Sequence, residues 1–209
     1  PDDYAMGFLG PLLQDLGTAL ARYEIDVSCD LSANLMAGLA RQELDLALVT
    51  LAAPPSRAEA VFEAPLNWVM HSAASPEAAV LAAYPEGCVF RRAMIGALEA
   101  AGVGWQVAAQ SRSHAAIMAA VRAGVAVTSA ARGTAPPDLV EVACTSVLPK
   151  LAPVPIYLVA AAAARPAARQ AQEALERVLR RCFGRSVMTG RRRQTHWNAA
   201  KTAARLPHE

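Results

Sequence analysis

Hydrophobic positions along this chain switch repeatedly between a spacing of three to four and a spacing of two. From Phe8 to Tyr23, Leu9, Leu12, Leu13, Leu16 and Leu20 recur at helical intervals, with Pro11 tolerable in the first turn. Glu24 to Asp30 alternates Ile25, Val27 and Cys29 with Asp26, Ser28 and Asp30, which predicts a strand. Leu31-Ser32 opens a helix with Ser32 as its cap and Leu35, Met36, Leu39 and Ala40 as its stripe. Leu44 to Leu51 is apolar enough for a strand buried on both faces. Strand, helix, strand with short connections is a βαβ unit, which implies a parallel sheet. Short strands near Val61–Glu63 and Leu66–His71 follow, and Ser72–Pro85 reads as a linker. The grammar then restarts: a strand at Gly87–Phe90, a helix at Arg91–Ala101 closed by Gly102, and a strand at Trp105–Gln110. A helix at Ser113–Ala123 closed by Gly124 comes next, then strands at Val125–Ser129, Leu139–Cys144 and Val154–Ala162. A last helix covers Arg165–Cys182, with Pro166 at its start. These are two α/β halves joined by extended segments near Leu66–Ser75 and Pro153–Ala163, an arrangement that implies a hinge and a cleft.

Composition changes this picture little. A chain of 209 residues with 54% hydrophobic and 18% charged residues can bury a core and is not wholly disordered. No apolar run reaches the roughly 18–20 residues of a membrane span. The chain starts at Pro1 and shows no leader peptide, so the expectation is a fragment or a chain whose start has been removed. Cys29, Cys88, Cys144 and Cys182 lie far apart without a C-x-x-C pair, which points to no zinc site and no disulfide scaffold and suits a reducing cytoplasm. The formal charge of +2 conceals a division. From Arg185 onward six basic residues face one acid, Glu209, whereas the body before it is mildly acidic. That basic stretch, residues 184–209, lacks a sustained apolar face and reads as a disordered tail.

No constellation in the sequence supports an enzyme. G-x-S-x-G, H-E-x-x-H, P-loop and G-x-G-x-x-G motifs are absent, and Gly102-Val103-Gly104 precedes a strand rather than a helix. His71, His114, His196 and His208 show no metal spacing, so neither metal nor cofactor is expected. Ser113 and His114 are adjacent and would not face each other on a helix. What recurs in both halves is a helix N-terminus suited to a small polar or anionic group: Asp2-Asp3-Tyr4, Leu31-Ser32, Cys88–Arg91 and Gln110–Ser113. Each of these serines is also an ordinary capping residue.

The stretches PDDYAMGFLGPLL, VSCDLSANLMAGLARQELDLALVT, PEGCVFRRAMIGALEAAGVGW and SRSHAAIMAAVRAGVAVTSA resemble the effector-binding region of LysR-type transcriptional regulators. The resemblance covers about Pro1–Cys182 and rests mainly on the L-x-x-G-x-L-D-x-A-like signature at Leu35–Val49 and on Ala120–Val127. It implies a two-lobed α/β fold like type-2 periplasmic binding proteins, mainly parallel sheets with helices on both faces. Residues 1–71 plus 154–183 would form lobe I and 72–153 lobe II, with an effector cleft between them. By resemblance, the effector contacts a loop at Asp3-Tyr4, the turn at Leu31-Ser32, and Thr50. On the second lobe it contacts Phe90-Arg91, Ser111, Arg112 and Ser113, and the turn at Thr128. Arg91 is the expected fork for a carboxylate, against the alternative that it is a surface residue. The expected ligand is therefore a small anionic metabolite.

The resemblance also implies a homodimer or tetramer held through the first and last helices, Phe8–Tyr23 and Arg165–Cys182, although packing on their own sheet would use the same stripes. Family members normally carry an N-terminal winged helix-turn-helix for DNA, absent from this chain along with the strand that usually precedes Pro1-Asp2-Asp3-Tyr4. Cys29 and Cys88 near the cleft are either inert thiols or a redox pair. The functional expectation is a non-enzymatic ligand-sensing domain; the alternative is a solute-binding protein of a transport system with the same fold.

Overall fold

The structure, a computed structural model, describes residues 1–19, 23–74, 76–163, 166–184 and 188–189. Strand β8 (Val154–Ala160) is apolar on both faces and lies inside the first sheet, as such a sequence requires. It pairs antiparallel with β1 (Leu46–Val49), Leu48 opposite Leu158, and with β2 (Ala58–Ala64), Phe62 opposite Ile156. The second sheet is centred on β3 (Leu66–Met70), flanked antiparallel by β6 (Thr128–Ala131) and β7 (Val140–Val142). It continues through a bridge between Leu81 and Val127 into β4 (Ala79–Ala83), which pairs parallel with β5 (Trp105–Gln110).

Helices cover both faces of both sheets. On the first sheet, Leu35 and Leu39 of α3 (Ser32–Ala40) pack with Val49 and Tyr157, and α6 (Pro166–Phe183) lies on the opposite face. Leu16 of α2 (Gly10–Ala19) packs with Ala174 of α6. On the second sheet, Ile117, Met118 and Val121 of α5 (His114–Arg122) cover Val69 and Ala82, while Met94 and Leu98 of α4 (Val89–Ala100) cover the other side. One apolar cluster runs from Leu158 and Leu179 through Phe62 and Trp68 to Met94, so the two sheets share a core. Trp68 is fully buried, and its indole N–H donates to the Pro149 carbonyl at 2.7 Å.

Several expectations are corrected. The described pairings are mostly antiparallel, the β4–β5 pair and the Leu81–Val127 bridge being the parallel ones. The reason is the route of the chain: β8 re-enters the first sheet from the far lobe and runs against β1 and β2, which precede the crossing. The change of sheet falls at Pro65, between β2 and β3, and not after residue 71. Glu24–Asp30 forms no ladder and is exposed. Ile25 and Val27 instead share with Leu46 and Leu48 a groove of about 200 Å³.

Within the expected linker at Ser72–Pro85, Ala79–Ala83 is a strand almost wholly inaccessible to solvent, because burial overrides the poor strand propensity of alanine. Gly87–Phe90 is no strand; helix α4 already starts at Val89. The first helix begins at Asp2, not Phe8: α1 (Asp2–Tyr4) runs through a π-helical stretch at Ala5–Leu9 into α2. Two acids in its first turn favour that start. Of the expected tail, Met188–Thr189 form β9, paired with β2; beyond Gly184 the rest lies outside the described residues.

Candidate functional site

A cavity of about 310 Å³ opens where α1, the N-terminus of α3, the end of β1, the β4–α4 turn and Arg112 meet. Its elements come from both sheets, and each arrives there for a local reason. Leu31 is the cap position of α3, and Asp30 just before it braces the turn: its Oδ1 accepts from Leu31 N–H at 2.6 Å and from Asn34 Nδ2 at 2.9 Å. Ser32, expected as the cap, instead accepts from the Thr50 N–H at 3.0 Å and ties the helix to the end of β1. The Thr50 hydroxyl is hydrogen-bonded to the Tyr4 hydroxyl, which fixes α1 over the same strand end. The Tyr4 ring packs tilted on Phe90 at 6.2 Å between centroids, joining α1 to α4. Burial pushes the Tyr4 phenol far up, so it stays neutral.

Asp3 is the unusual group. It is only 6% exposed, and its Oδ2 has no hydrogen-bond partner among the described residues. Burial raises its carboxyl to about 6, against a smaller opposing pull from the Pro1 ammonium. On the second-lobe side, the Tyr84 hydroxyl meets His114 Nδ1 at 2.8 Å, while His114 Nε2 is buried without a partner. Burial holds His114 below its ordinary range, so the imidazole stays neutral at physiological pH.

Of the residues singled out from sequence, Asp3, Leu31, Ser32, Thr50, Phe90 and Arg112 line this cavity. Tyr4 sits one layer behind, through Thr50. Ser111 and Ser113 serve the turn into α5: Ser113 N–H donates to Ser111 Oγ, and Ser113 Oγ accepts from Ala116 N–H. Thr128 is buried in β6, away from the lining. Arg91, the expected fork, is turned to the fold: its Nη1 donates to the Tyr84 carbonyl at 3.1 Å and to Gln110 Oε1 at 3.0 Å, fastening α4 to the ends of β4 and β5. The guanidinium that lines the cavity is Arg112, on the strand-to-helix turn three residues beyond Ala109.

Sequence reasoning missed Asp30, Tyr84 and Glu86. Asp30 could have been found from its spacing to Asn34 at the head of a helix; Tyr84 was hidden by reading Ser72–Pro85 as a linker, and Glu86, just beyond it in the turn before α4, carries no local signal. Cys29 and Cys88 also line the cavity as free thiols. Burial raises both, which leaves little thiolate and gives a redox role no support. Among the described residues no group of His, Cys, Asp or Glu is arranged to hold a metal ion.

A family model for the LysR substrate binding domain matches residues 1–182. The chain belongs to this family. The transport reading is therefore not favoured. The HTH-type transcriptional regulator DgdR of Burkholderia cepacia is 29% identical over 161 residues, which cover 76% of this chain. This LysR substrate-binding domain spans about half the length of that relative, 55%. Solved structures share the fold. The sulfate-bound regulatory domain of an OxyR2 mutant from Vibrio vulnificus superposes with a TM-score of 0.65 at 17% identity, over 85% of this chain and 91% of that one. The effector binding domain of QuiR in complex with shikimate gives 0.63 at 12%, over 86% and 95%. They confirm the two-lobed periplasmic-binding-protein-like α/β architecture; the LysR domain is a ligand-sensing regulatory module.

Proposed function

We propose that this LysR domain is the sensor of a bacterial transcriptional regulator, non-enzymatic, which binds a small effector between its lobes and signals to a DNA-binding module elsewhere in the full-length protein. The observation that carries this reading is the 310 Å³ cavity lined from both sheets, one of whose lining residues, Asp3, is a buried carboxylate with one oxygen lacking a partner. Two fold neighbours are described in complex with shikimate and with 2-PG, which supports the use of such a fold for small effectors. The lobes are residues 1–64 with 154–183, and 66–153, taken from the strand pairing. The effector contacts are Asp3, Leu31, Ser32, Thr50, Phe90 and Arg112, with Tyr4, Arg91, Ser111, Ser113 and Thr128 acting from behind them. A homodimer or tetramer and a cytoplasmic location complete the proposal; no helix among the described residues is long and apolar enough to cross a membrane.

The test is a thermal-shift screen of metabolites on the wild type and on Ala33→Trp. Ala33 is exposed on the rim of the cavity, so an indole there fills the entrance without disturbing the core. A ligand that binds only the folded state raises Tm by mass action. The expected result is a shift in the wild type that Ala33→Trp abolishes; a shift unchanged in the variant overturns the location. Footprinting with the full-length protein, with and without that ligand, tests the regulatory half.

A further inference from the structure

We infer that the effector carries a protonated nitrogen, an amine or amidine, seated against the Asp3 carboxylate. This rests on the effector-cleft reading and names the chemistry of the same site.

The cavity holds far more acid than base. Asp2, Asp3, Asp30 and Glu86 line it, against Arg112 and the Pro1 α-amino group, which is cationic only where the chain starts at that residue. Asp3 is the informative member, because it lines the cavity while more than nine-tenths buried, and its Oδ2 has no partner. Burial leaves the Asp3 carboxyl pushed up to about 6 in spite of the Pro1 ammonium and backbone hydrogen bonds, so above that pH it carries a charge that its surroundings compensate only in part. A hydroxyl donor would satisfy the lone oxygen but not the charge, whereas an N⁺–H donor does both.

The features that would favour an anion are flanked or engaged by other groups. Beside the N-terminus of α3 stands the Asp30 carboxylate, which accepts the N–H of the cap residue Leu31 and sets a negative charge next to the helix end. Arg112 acts on that same Asp30, which the Asn34 and Leu31 hydrogen bonds chiefly hold below the ordinary carboxylate range. Arg91 is spent on Tyr84 and Gln110. An anionic ligand would thus meet mostly like charge, although Arg112 leaves room for a carboxylate at the far end of a zwitterion.

The experiment measures thermal shifts at pH 7.5 with two sets of probes: alanine, lysine, putrescine and agmatine against lactate, propionate and succinate. It uses the wild type, Asp3→Asn, Glu86→Gln and Ala33→Trp. We expect at least one nitrogen-bearing probe to bind. Its affinity falls at least tenfold in Asp3→Asn and by a smaller factor in Glu86→Gln, a rim variant that leaves the buried carboxylate in place. Shifts from the nitrogen-free acids alone, lost in Ala33→Trp, overturn the inference and leave the cleft reading standing. An amine that binds Asp3→Asn as well as the wild type also overturns the inference. Silence from every probe counts against both.

Discussion

Replacing Asp3 by Asn is expected to stabilise the ligand-free domain near neutral pH while weakening its ligand binding. In the folded state burial raises the Asp3 carboxyl from 3.8 to about 6, so the native form holds this proton more tightly than the unfolded form does. The contribution of the group to stability is therefore greatest below its unfolded value. It declines as pH rises between about 4 and 6, and above 6 the full cost of a buried charge is in place. Each pH unit of difference corresponds to about 1.4 kcal/mol, so the cost at pH 7 is on the order of 3 kcal/mol. Asparagine keeps the shape and an acceptor oxygen but carries no charge. Asp3→Asn should recover much of that amount, a rise in Tm of roughly 5–10 °C for a domain of this size. The assay is urea denaturation of both proteins at half-unit steps from pH 4 to pH 8. The stability difference between variant and wild type should open up between pH 4 and 6 and then level. A constant difference across that range, or a variant less stable than the wild type at pH 7, would refute the reasoning. A carboxylate that destabilises the empty domain while lining its cavity is the stability–function trade expected of a binding group.

Other consequences follow from packing. Trp68→Phe should cost about 2–3 kcal/mol in urea denaturation, because it leaves a void in the shared core and the Pro149 carbonyl without its donor; a loss under about 0.5 kcal/mol would mean that Trp68 is not a keystone there. A β-carbon on Gly7 would sit 2.8 Å from the Thr134 methyl, so Gly7→Ala should cost about 1–3 kcal/mol. Adding Thr134→Ser should restore most of this, since serine removes the methyl but keeps the hydroxyl that donates to the Ala131 carbonyl; an additive double mutant would place the strain elsewhere. Arg122→Ala breaks the exposed pair with Asp138 and should leave the urea midpoint and the ligand shifts essentially unchanged; a clear drop in the midpoint would mean that the pair matters to the fold.

The periodic parts of the chain declared themselves. The α5 stripe of Ile117, Met118 and Val121, its Ser113 cap and the Gly124 stop are local features, and the helix appears where they put it. The same holds for the apolar run that becomes β8 and for the amphipathic α6. The family signature at Leu35–Val49 was equally legible, and the family model covers it.

What the tertiary structure decided are the features in which a residue's role depends on what lies opposite it. Ala79–Ala83 has no strand signal of its own; it becomes a central strand because Val121 and Met94 bury its two faces. Strand direction followed from the second crossing between lobes, which no local pattern encodes. Glu24–Asp30 alternates like a strand, yet a backbone edge needs a neighbour, and here it borders a groove. Arg91 and Arg112 look interchangeable in sequence. The fold spends one on the Tyr84 carbonyl and Gln110 and leaves the other in the cavity. The charge of the site was set in the same way. Asp2, Asp3, Asp30 and Glu86 are scattered along the chain, and only their convergence around one cavity, with one oxygen of Asp3 buried and unpartnered, makes it acidic. Periodicity is a property of neighbours in sequence; electrostatics is a property of neighbours in space.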